Sequence, residues 1–402
     1  MERRAKWAAG LGWGLDSFDF YLYVYGLPAI LGTFALSKAA GGFLASCTLA
    51  ASAIGGIVLG ALADRIGRRR VLVVSILWYA TFTFLSGWAQ NYWQLTAFRT
   101  LEGFGFGGEW AVGAVLVAEW SSPERRGRNL GYVQGAWALG WLAANAAFQI
   151  MFSIAPAHAA WRYLFFLGVI PAAVALYIRR NVEDAPLFRP APVALNTIFK
   201  APLLRTTVLV TLLAIAVQSG YYALFTWMPT YLTAQRHLAA VTSGWYLYLL
   251  IAGAYAGYIS AGAINDAIGR RRTFIVFSLC SAAIVPLYLY AIAADWQLLL
   301  AGPVLGYFAS GIFSGFGPYL SELFPTETRA TGQGFAYNVG RGVAGAVPLA
   351  IGAAAAHFPI GNAMTVTAVC AYLAAAAIVS YLPETRAVEL TQTMPSGYAS
   401  SP

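Results

Sequence analysis

Charged side chains are scarce in this chain. Asp, Glu, Lys and Arg together make up 10% of its 402 residues, whereas soluble domains carry roughly a quarter. Hydrophobic residues account for 59%. This balance excludes a soluble globular domain and a disordered or fibrous chain, because so apolar a chain needs a solvent that is mostly lipid.

Cysteine and histidine are few as well. The three cysteines lie inside apolar runs and the three histidines show no ligand spacing, so neither a disulfide framework nor a metal site is predicted. The run Gly103, Gly105, Gly107 and Gly108 resembles a phosphate loop only superficially, since no Gly-Lys-Ser/Thr follows it. We expect these glycines to allow close helix packing, and no nucleotide or other cofactor is predicted.

Twelve long apolar runs follow one another along the chain, and a transmembrane helix needs about 20 such residues. These runs, numbered span 1 to span 12, lie near 8–31, 42–62, 71–89, 94–118, 129–152, 162–179, 204–232, 242–264, 273–293, 297–321, 332–353 and 360–382. They predict an all-α polytopic membrane protein with 12 transmembrane helices in two pseudo-symmetric six-helix halves. The predicted parts are a first half at 1–180, a cytoplasmic linker at 181–203, a second half at 204–382 and a short, mobile cytoplasmic tail at 383–402.

The basic residues lie mainly on one side of this arrangement. All but five of the 25 Lys and Arg residues fall at the N-terminus, in the tail or in the connections on the same side. Because positively charged loops stay in the cytoplasm, we expect both termini there. The net charge of +9 then reflects topology, and no nucleic-acid partner is predicted.

The two halves repeat each other in sequence. The segment GALADRIGRRRVL at 60–72 returns as GAINDAIGRRRTF at 262–274, and FYLYVYGLP at 20–28 returns as YYALFTWMP at 221–229. Charged residues that follow spans 4 and 10 recur at a nearly equal offset. Internal repeats of this kind are typical of transporters, in which the substrate binds between the halves.

With these motifs the chain resembles the major facilitator superfamily. The pattern Gly-x-Leu-Ala-Asp-Arg-x-Gly-Arg-Arg between spans 2 and 3 is that superfamily's best-known signature, and it is intact at 60–69. The segments LDSFDFYLY, RTLEGFGFGGEW, SELFPTETRATGQG and YNVGR look like the bacterial proton-linked organic-acid symporters of the aromatic-acid and sialate/monocarboxylate branches. Aromatic-acid members carry Asp-Gly-Phe-Asp where this chain has Asp-Ser-Phe-Asp at 16–19, so the substrate branch stays open.

Four ionisable residues lie near the middle of apolar runs, where each costs about 2.5–3.5 kcal/mol and is functional by default. They are Asp16 and Asp19 on one face of span 1, Glu109 in span 4 and Arg341 in span 11. We expect all four to converge at one level. Removal from water favours the protonated form of a carboxyl group, whereas a nearby guanidinium favours the ionised form. Because these two effects oppose each other, such a group is suited to binding and releasing a proton during transport. Arg341 is the candidate for binding a substrate carboxylate.

Alternatives remain open for these charges. Arg99 and Glu102 share a polar stripe of span 4 with Glu109, so they either belong to the proton-coupling set or form a simple i,i+3 pair at the outer rim. The acids within the membrane either take up and release protons during transport or have a structural role. In the structural alternative they are permanently protonated or accept hydrogen bonds from nearby backbone N–H groups. Arg341 either binds substrate or is a structural partner of one acid.

Polar and aromatic residues near the same level are candidates for the substrate site. Besides Arg341 they are Gln134, Trp137, Tyr21, Tyr25, Gln218, Tyr221, Tyr337 and Asn338. Gln134 and Tyr337 occupy matching positions of the internal repeat. For any one aromatic residue the alternative is an anchor at the membrane interface.

A second group of charges lies where helices leave the membrane. The group comprises Asp64, Arg68, Glu119, Arg126, Asp266, Arg270, Glu322 and Arg329. The superfamily resemblance implies that such residues form salt-bridge networks that close the cytoplasmic side. Simple solvation at the membrane surface is the alternative.

Together these features predict a secondary active transporter that moves a small organic anion in symport with protons by alternating access. We expect a monomer in the bacterial inner membrane, powered by the proton gradient, with an organic acid, protons and the lipid bilayer as partners and without enzymatic activity. The main alternative is an organic-cation or drug/proton antiporter, because acids outnumber bases in the core. More remote are a non-transporting sensor and a polytopic membrane enzyme, which needs its carboxylates at the aqueous interface.

Overall fold

The computed structural model describes residues 2–36, 38–181, 183, 195–228, 231–238, 240–292, 294–355 and 357–390. All regular secondary structure within these residues is helical. In lipid the backbone N–H and C=O groups find no water, so an apolar chain satisfies them inside helices. The all-α prediction is confirmed.

Spans 1 to 6 form the first half. Their bounds are Glu2–Thr33, Lys38–Ile66, Arg68–Ser86, Tyr92–Trp120, Arg126–Ile154 and, for span 6, Ala157–Phe166 followed by the 3₁₀ turn Leu167–Val169 and by Ile170–Asn181. The ends follow local chemistry. Asn91, for example, accepts a hydrogen bond from the backbone N–H of Gln94 at 2.9 Å and so caps span 4.

Spans 7 to 12 form the second half. Span 7 is Leu203–Phe225, span 8 is Ala240–Ile268, span 9 is Arg270–Pro286 with the π turn Leu287–Ala291, span 10 is Asp295–Gly311 with Ile312–Gly315 and Phe316–Leu323, span 11 is Arg329–Ala344 with Val347–Ala354, and span 12 is Ile360–Ser380. Each predicted run therefore corresponds to one helical span. The 3₁₀ turn Leu195–Phe199 precedes span 7, and most of the predicted linker lies outside the described residues.

Nine helices of the described chain are long and apolar enough to cross a membrane. The spans that fall short of that composition or length are 1, 4 and 11. Spans 1 and 4 carry buried charges near their middle, and span 11 is interrupted after Ala344 and carries Arg341. These three spans are thus the ones that carry the predicted proton-coupling residues and Arg341.

A glycine makes the same sharp turn in each half. Gly67 separates spans 2 and 3 with φ 106°, and Gly269 separates spans 8 and 9 with φ 101°. Both values lie in the region that side chains with a Cβ rarely adopt. These turns place Arg68 and Arg270, which follow directly, at the start of the next span and in matching positions of the two halves.

Other glycines allow helices to touch. A Cβ atom added to Gly103 or Gly107 of span 4 would collide with backbone oxygens of span 2, at Thr48 and Ser52. The prediction that this glycine run serves close packing is confirmed. Similar contacts join the halves, because a Cβ on Gly60 would lie 2.7 Å from the Ala330 oxygen of span 11.

Candidate functional site

A cavity of about 160 Å³ lies between the two halves. Its walls come from spans 1, 2, 4 and 5 of the first half and spans 7, 8, 10 and 11 of the second. The lining residues are Trp13, Phe20, Tyr21, Val24, Tyr25, Leu49, Phe106, Gln134, Trp137, Trp141, Gln218, Tyr221, Tyr222, Phe225, Thr226, Leu247, Tyr258, Phe313, Tyr337 and Arg341. We call it the central cavity.

Arg341 is the one charged side chain among the lining residues that the structure describes. Its guanidinium carbon lies 4.7 Å from the ring centre of Phe106, 5.2 Å from that of Tyr337 and 5.9 Å from that of Trp13. Arg341 is 3% exposed, and its Nη1 has no hydrogen-bond partner among the described residues. A buried cation on aromatic faces with an unused donor is suited to binding an anion.

Two carboxyl groups lie beside this cation, and we call them the acid pair. Asp16 and Glu109 face each other within electrostatic reach of Arg341. Glu109 reaches across to span 1, since a Cβ atom on Gly12 would collide with its Oε1. Both acids are buried, and none of their four carboxyl oxygens has a hydrogen-bond partner in the described part of the chain. Such unpaired groups are costly to bury as charges.

Asp19 does not join Arg341. It instead accepts a hydrogen bond from Arg99 Nη1 at 3.3 Å, and Arg99 Nη2 lies 3.4 Å from Glu102. The guanidinium also lies 5.2 Å from the ring centre of Tyr23. Of the four residues predicted to converge, Asp19 therefore has Arg99 rather than Arg341 as its basic partner, although Asp16, Glu109 and Asp19 all lie within electrostatic reach of Tyr79.

The cause is the direction of the helices. Spans 1 and 4 run antiparallel, so the later residue of span 1 meets the earlier residues of span 4. Asp19 thus meets Arg99 and Glu102, whereas Asp16 meets Glu109. The i,i+3 pair of Arg99 and Glu102 exists, but it is buried with Asp19 rather than exposed at a rim. We call these three residues the Arg99 cluster.

Aromatic side chains from span 5 and span 1 pack along one wall of the cavity. Tyr21 stacks on Trp141 with ring centres 4.4 Å apart, and Trp137 lies 4.6 Å from Trp13. The Trp141 indole N–H donates to the Tyr25 hydroxyl at 3.1 Å. The structure therefore brings the predicted residues of spans 1 and 5 to the same cavity, where they form a rigid, mostly apolar surface.

Two amide side chains among the lining residues, Gln218 of span 7 and Gln134 of span 5, form hydrogen bonds with neighbouring spans. Gln218 donates from Nε2 to the backbone oxygen of Tyr337 at 2.9 Å, and Tyr221 lies beside it on the lining. Gln134 accepts from the Trp110 indole at 3.1 Å, and Trp110 stacks on Tyr337 at 3.6 Å. The positions that the repeat pairs, Gln134 and Tyr337, thus contact the same indole, Gln134 at its N–H edge and Tyr337 at its face.

Asn338 differs from the other predicted substrate-binding residues, because it does not line the central cavity. It is fully buried, and its Nδ2 donates to the backbone oxygens of Gly107 and Gly334 at 3.0 Å. The side chain therefore joins span 11 to span 4. The prediction rested on the cost of burying an amide in lipid, and here backbone oxygens rather than a substrate satisfy that amide.

Predicted gating residues form a first network, at the end of the molecule where the arginines cluster. We call this end the arginine-rich end. Arg68 lies 3.0 Å from Asp64 and 3.3 Å from Glu119, and Arg329 of the second half lies 3.0 Å from Glu119. Asp64 also accepts from the backbone and hydroxyl of Thr331, at 2.8 and 2.6 Å. The network therefore ties spans 2, 3 and 4 to span 11.

A second network repeats the first with the halves exchanged. Arg270 lies 3.0 Å from Asp266 and 2.8 Å from Glu322, and Arg126 of the first half lies 2.7 Å from Glu322. Asp266 accepts from the backbone N–H of Gly127 at 2.9 Å. These charges are paired rather than solvated, and all except the partly exposed Asp266 are buried. Both networks hold the halves together at the arginine-rich end.

The start of the C-terminal tail belongs to the second network. The Thr385 hydroxyl donates to Glu322 Oε2 at 2.6 Å, Glu384 accepts from the Arg270 N–H at 2.8 Å, and Arg126 donates to the Val388 oxygen at 3.0 Å. The tail is therefore packed from 384 to 388, which differs from the predicted mobility. Residues after 390 lie outside the described part.

Sequence reasoning missed several residues of the site, although helical spacing could have identified some. Trp13 lies three residues before Asp16 on the same helix face, and Phe106 lies three residues before Glu109. Both line the central cavity. For Asp16 and Glu109, the aromatic residue at i−3 thus identifies a residue of the cavity wall.

The sequence model of the Major Facilitator Superfamily matches residues 10–261 and 237–397 of the chain. The chain is 38% identical over 396 residues to a probable 4-methylmuconolactone transporter of Cupriavidus pinatubonensis, covering 97% of this chain and 92% of that protein. It is 32% identical over 366 residues to a cis,cis-muconate transport protein of Acinetobacter baylyi, covering 86% of each.

Solved structures give the same fold. The proton:xylose symporter XylE, bound to 6-bromo-6-deoxy-D-glucose, superposes with a TM-score of 0.83 over 97% of each chain. Sequence identity to it is 19%, so the likeness concerns the fold alone.

Proposed function

Because the chain belongs to the major facilitator superfamily and is therefore a multi-pass membrane transporter rather than an enzyme, we propose that it moves a small organic anion together with protons. In this proposal Arg341 binds the carboxylate of the substrate and the acid pair carries the proton. The proton gradient is the energy source, and no cofactor takes part.

One observation carries the proposal: the buried Arg341 guanidinium faces the central cavity without an ion pair to any described residue. Leaving such a cation unpaired is costly unless a ligand compensates it. A carboxylate matches its planar, bidentate donor geometry. The aromatic faces around it favour an organic anion with flat, unsaturated or ring-bearing parts.

The acid pair supports the coupling to protons. Asp16 and Glu109 have no hydrogen-bond partners among the described residues and lie beside Arg341. A substrate carboxylate on Arg341 withdraws the positive charge that favours their ionised form. Binding of the anion therefore favours uptake of a proton by the pair, and the two enter together.

The names of related transporters indicate which substrates to consider. Two of the proteins that resemble this chain over most of its length are named for 4-methylmuconolactone and for cis,cis-muconate. The small central cavity and its aromatic walls suit compact acids of this kind. We propose an unsaturated or lactone-bearing carboxylate derived from an aromatic ring as the substrate class.

The two networks support alternating access. They close the arginine-rich end, so substrate reaches the central cavity from the other end in this conformation. If the basic loops face the cytoplasm, the conformation is outward-facing and both termini are cytoplasmic. The proposed symport with protons entering across the bacterial inner membrane then gives uptake as the direction. Each half carries its own helices and cavity wall, so one monomer suffices for this cycle.

The test is uptake into proteoliposomes with an imposed inward proton gradient. Labelled cis,cis-muconate, 4-methylmuconolactone, benzoate and xylose are offered in turn. We expect accumulation of at least one carboxylate and none of xylose, and loss of accumulation when the gradient is collapsed by an ionophore.

An inactive variant supplies the control. Arg341→Gln keeps much of the side-chain volume but lacks the charge, and we expect no accumulation of any acid. Uptake of quaternary amines in exchange for protons, with no acid transported, would instead support the cation/proton antiporter and assign the acid pair to substrate binding.

A further inference from the structure

A second depression, separate from the central cavity, opens on the outer surface of the helix bundle. It has a volume of about 710 Å³ and lies between spans 1, 5 and 8, with Ile170 of span 6 at its side. Its walls are apolar, including the exposed Leu11, Leu139 and Tyr255. We call it the span 1 groove, and transport in the proposal above makes no use of it.

Basic side chains stand at the mouth of this groove. Arg3 and Lys6 line it, and Arg3 and Arg4 line a smaller depression of about 450 Å³ next to it. Lys6 Nζ is held there by Asn129 Oδ1 at 3.4 Å and lies 5.1 Å from the ring centre of Tyr132. The mouth is therefore positively charged where the groove reaches the membrane surface.

Glu2, an acidic residue at the start of the same helix, is bonded elsewhere. Glu2 accepts a hydrogen bond from the Asn129 amide, which also donates to Ser121 at 3.0 Å. Glu2 is not among the residues that line the groove. The cations at the mouth thus keep a net positive field toward the membrane.

The length of the groove fits a lipid tail. Its lining on span 1 extends from Arg3 to Phe18, a rise of about 22 Å, which exceeds the ~15 Å hydrocarbon depth of one leaflet. The exposed Trp7 lies close to the basic end, and Tyr132 lies on the opposite wall. Aromatic side chains in this position are typical of the level of lipid headgroups.

We propose that the span 1 groove is a binding site for one anionic phospholipid of the leaflet at the arginine-rich end. The phosphate of the headgroup binds to Arg3, Arg4 and Lys6, and an acyl chain lies in the groove along Gly10, Leu11 and Leu139. Basic pockets between transmembrane helices bind anionic headgroups by this chemistry. Because Tyr255 and Ile259 belong to the second half, the bound lipid contacts both halves.

One glycine allows the groove to be filled without disturbing the fold. A Cβ atom at Gly10 would meet no described atom within 4 Å, and the same holds for Gly32 at the other end of the same helix. Gly10→Trp therefore blocks the groove, and Gly32→Trp is the matched control with the same change of side chain. Gly10→Leu is a milder variant should the indole impair folding.

The experiment is native mass spectrometry of the full-length protein in detergent with defined lipids. Dioleoyl phosphatidylglycerol and dioleoyl phosphatidylcholine are titrated separately, so that only the headgroup charge differs. We expect one saturable phosphatidylglycerol site in the wild type and in Gly32→Trp, with weaker binding of phosphatidylcholine. Gly10→Trp and Gly10→Leu should lose this site while keeping the wild-type melting temperature.

Charge removal tests the headgroup contacts separately. The double variant Arg3→Gln, Lys6→Gln should bind phosphatidylglycerol about 30-fold more weakly. The loss is the combined effect of two removed charges, each of which attracts the anionic headgroup by the amount typical of one basic residue at a membrane surface. Equal binding of the two lipids by the wild type would overturn the proposal, as would equal binding by Gly10→Trp and Gly32→Trp. Displacement of the lipid by millimolar inorganic phosphate would also overturn it, since the site would then be one for a free anion.

Discussion

Two sets of buried charges in this protein differ in how they are paired. At the arginine-rich end, each of the eight predicted gating residues forms at least one ion pair. Glu119 and Glu322 each pair with one arginine of their own half and one arginine of the other half. By contrast, Arg341 on the lining of the central cavity and the acid pair beside it, Asp16 and Glu109, form no ion pair with a described residue, although they are equally buried.

The difference indicates what each set does. Buried charges that satisfy one another stabilise the arrangement that pairs them, so the networks favour the conformation closed at the arginine-rich end. Buried charges without partners need a ligand or a proton, so Arg341 suits the binding of a ligand and the acid pair suits the binding of a proton. The two sets are alike in burial and in residue type but differ in ion pairing. This difference in pairing is the reason for assigning a conformational role to the networks and a binding role to Arg341 and the acid pair.

The largest expected effect comes from Arg341→Ala. Removing the unpaired cation should weaken equilibrium binding of the transported acid by about 100-fold or more, because a buried charge contact is lost. Quenching of tryptophan fluorescence measures this binding, since Trp13 and Trp137 line the cavity. Arg162→Ala is the control, because Arg162 bonds to the backbone oxygens of Gly87 and Ala89 away from the cavity. Wild-type affinity in Arg341→Ala would remove its role.

The acid pair and the Arg99 cluster should respond differently to the same chemical change. Asp16→Asn and Glu109→Gln should abolish accumulation driven by the proton gradient while preserving exchange of labelled for unlabelled substrate. Gradient-driven uptake and exchange, measured in the same vesicles, separate these two activities. Loss of both activities to the same extent would point to a structural role for the pair.

Asp19→Asn should act first on stability. It leaves Arg99 with Glu102 as its remaining acidic partner among the described residues, and breaking a buried ion pair costs about 3–5 kcal/mol. We expect a lower melting temperature in Asp19→Asn than in Asp16→Asn, measured in one detergent. A normal melting temperature together with loss of proton coupling would place Asp19 in the coupling set after all.

Substitutions in the two networks should have an intermediate effect on the conformational equilibrium and little effect on the affinity for substrate. Glu119→Gln and Glu322→Gln each remove a carboxylate that joins the halves, and we expect each to shift the equilibrium by roughly tenfold, or about 1.4 kcal/mol, toward the state open at the arginine-rich end. Spin labels at Arg70→Cys and Arg272→Cys, in a background without native cysteines, report the distance between the halves. A change confined to substrate affinity would contradict the gating role.

Removal of the tail should give the smallest effect. A chain ending at Pro383 lacks Glu384, Thr385 and Val388, which bond only to the second network among the contacts described above. We expect a shift in the same direction as in Glu322→Gln but smaller, measured with the same labels. A shift as large as that of Glu322→Gln would mean that the tail, rather than the ion pairs, closes this end.

Much of the fold could be predicted, because each span corresponds to a long apolar run of the sequence. The internal repeat also shows which charged residues of the first half match those of the second half. The partner of Asp19 could not be read from spacing alone, since spacing gives the face of a helix but not which residue of an antiparallel neighbour lies opposite. The tail was missed for another reason. Its bonds use the Arg270 N–H and the Val388 oxygen, and backbone groups leave no pattern of side chains.

The most direct test of the account measures external pH in weakly buffered, de-energised vesicles that contain the protein. Addition of cis,cis-muconate, or of whichever acid the uptake panel selects, should make the outside more alkaline, because a proton enters with each transport event. Glu109→Gln should abolish the pH change. Entry of the labelled acid with no change in external pH would contradict proton symport, and with it the role assigned to the acid pair.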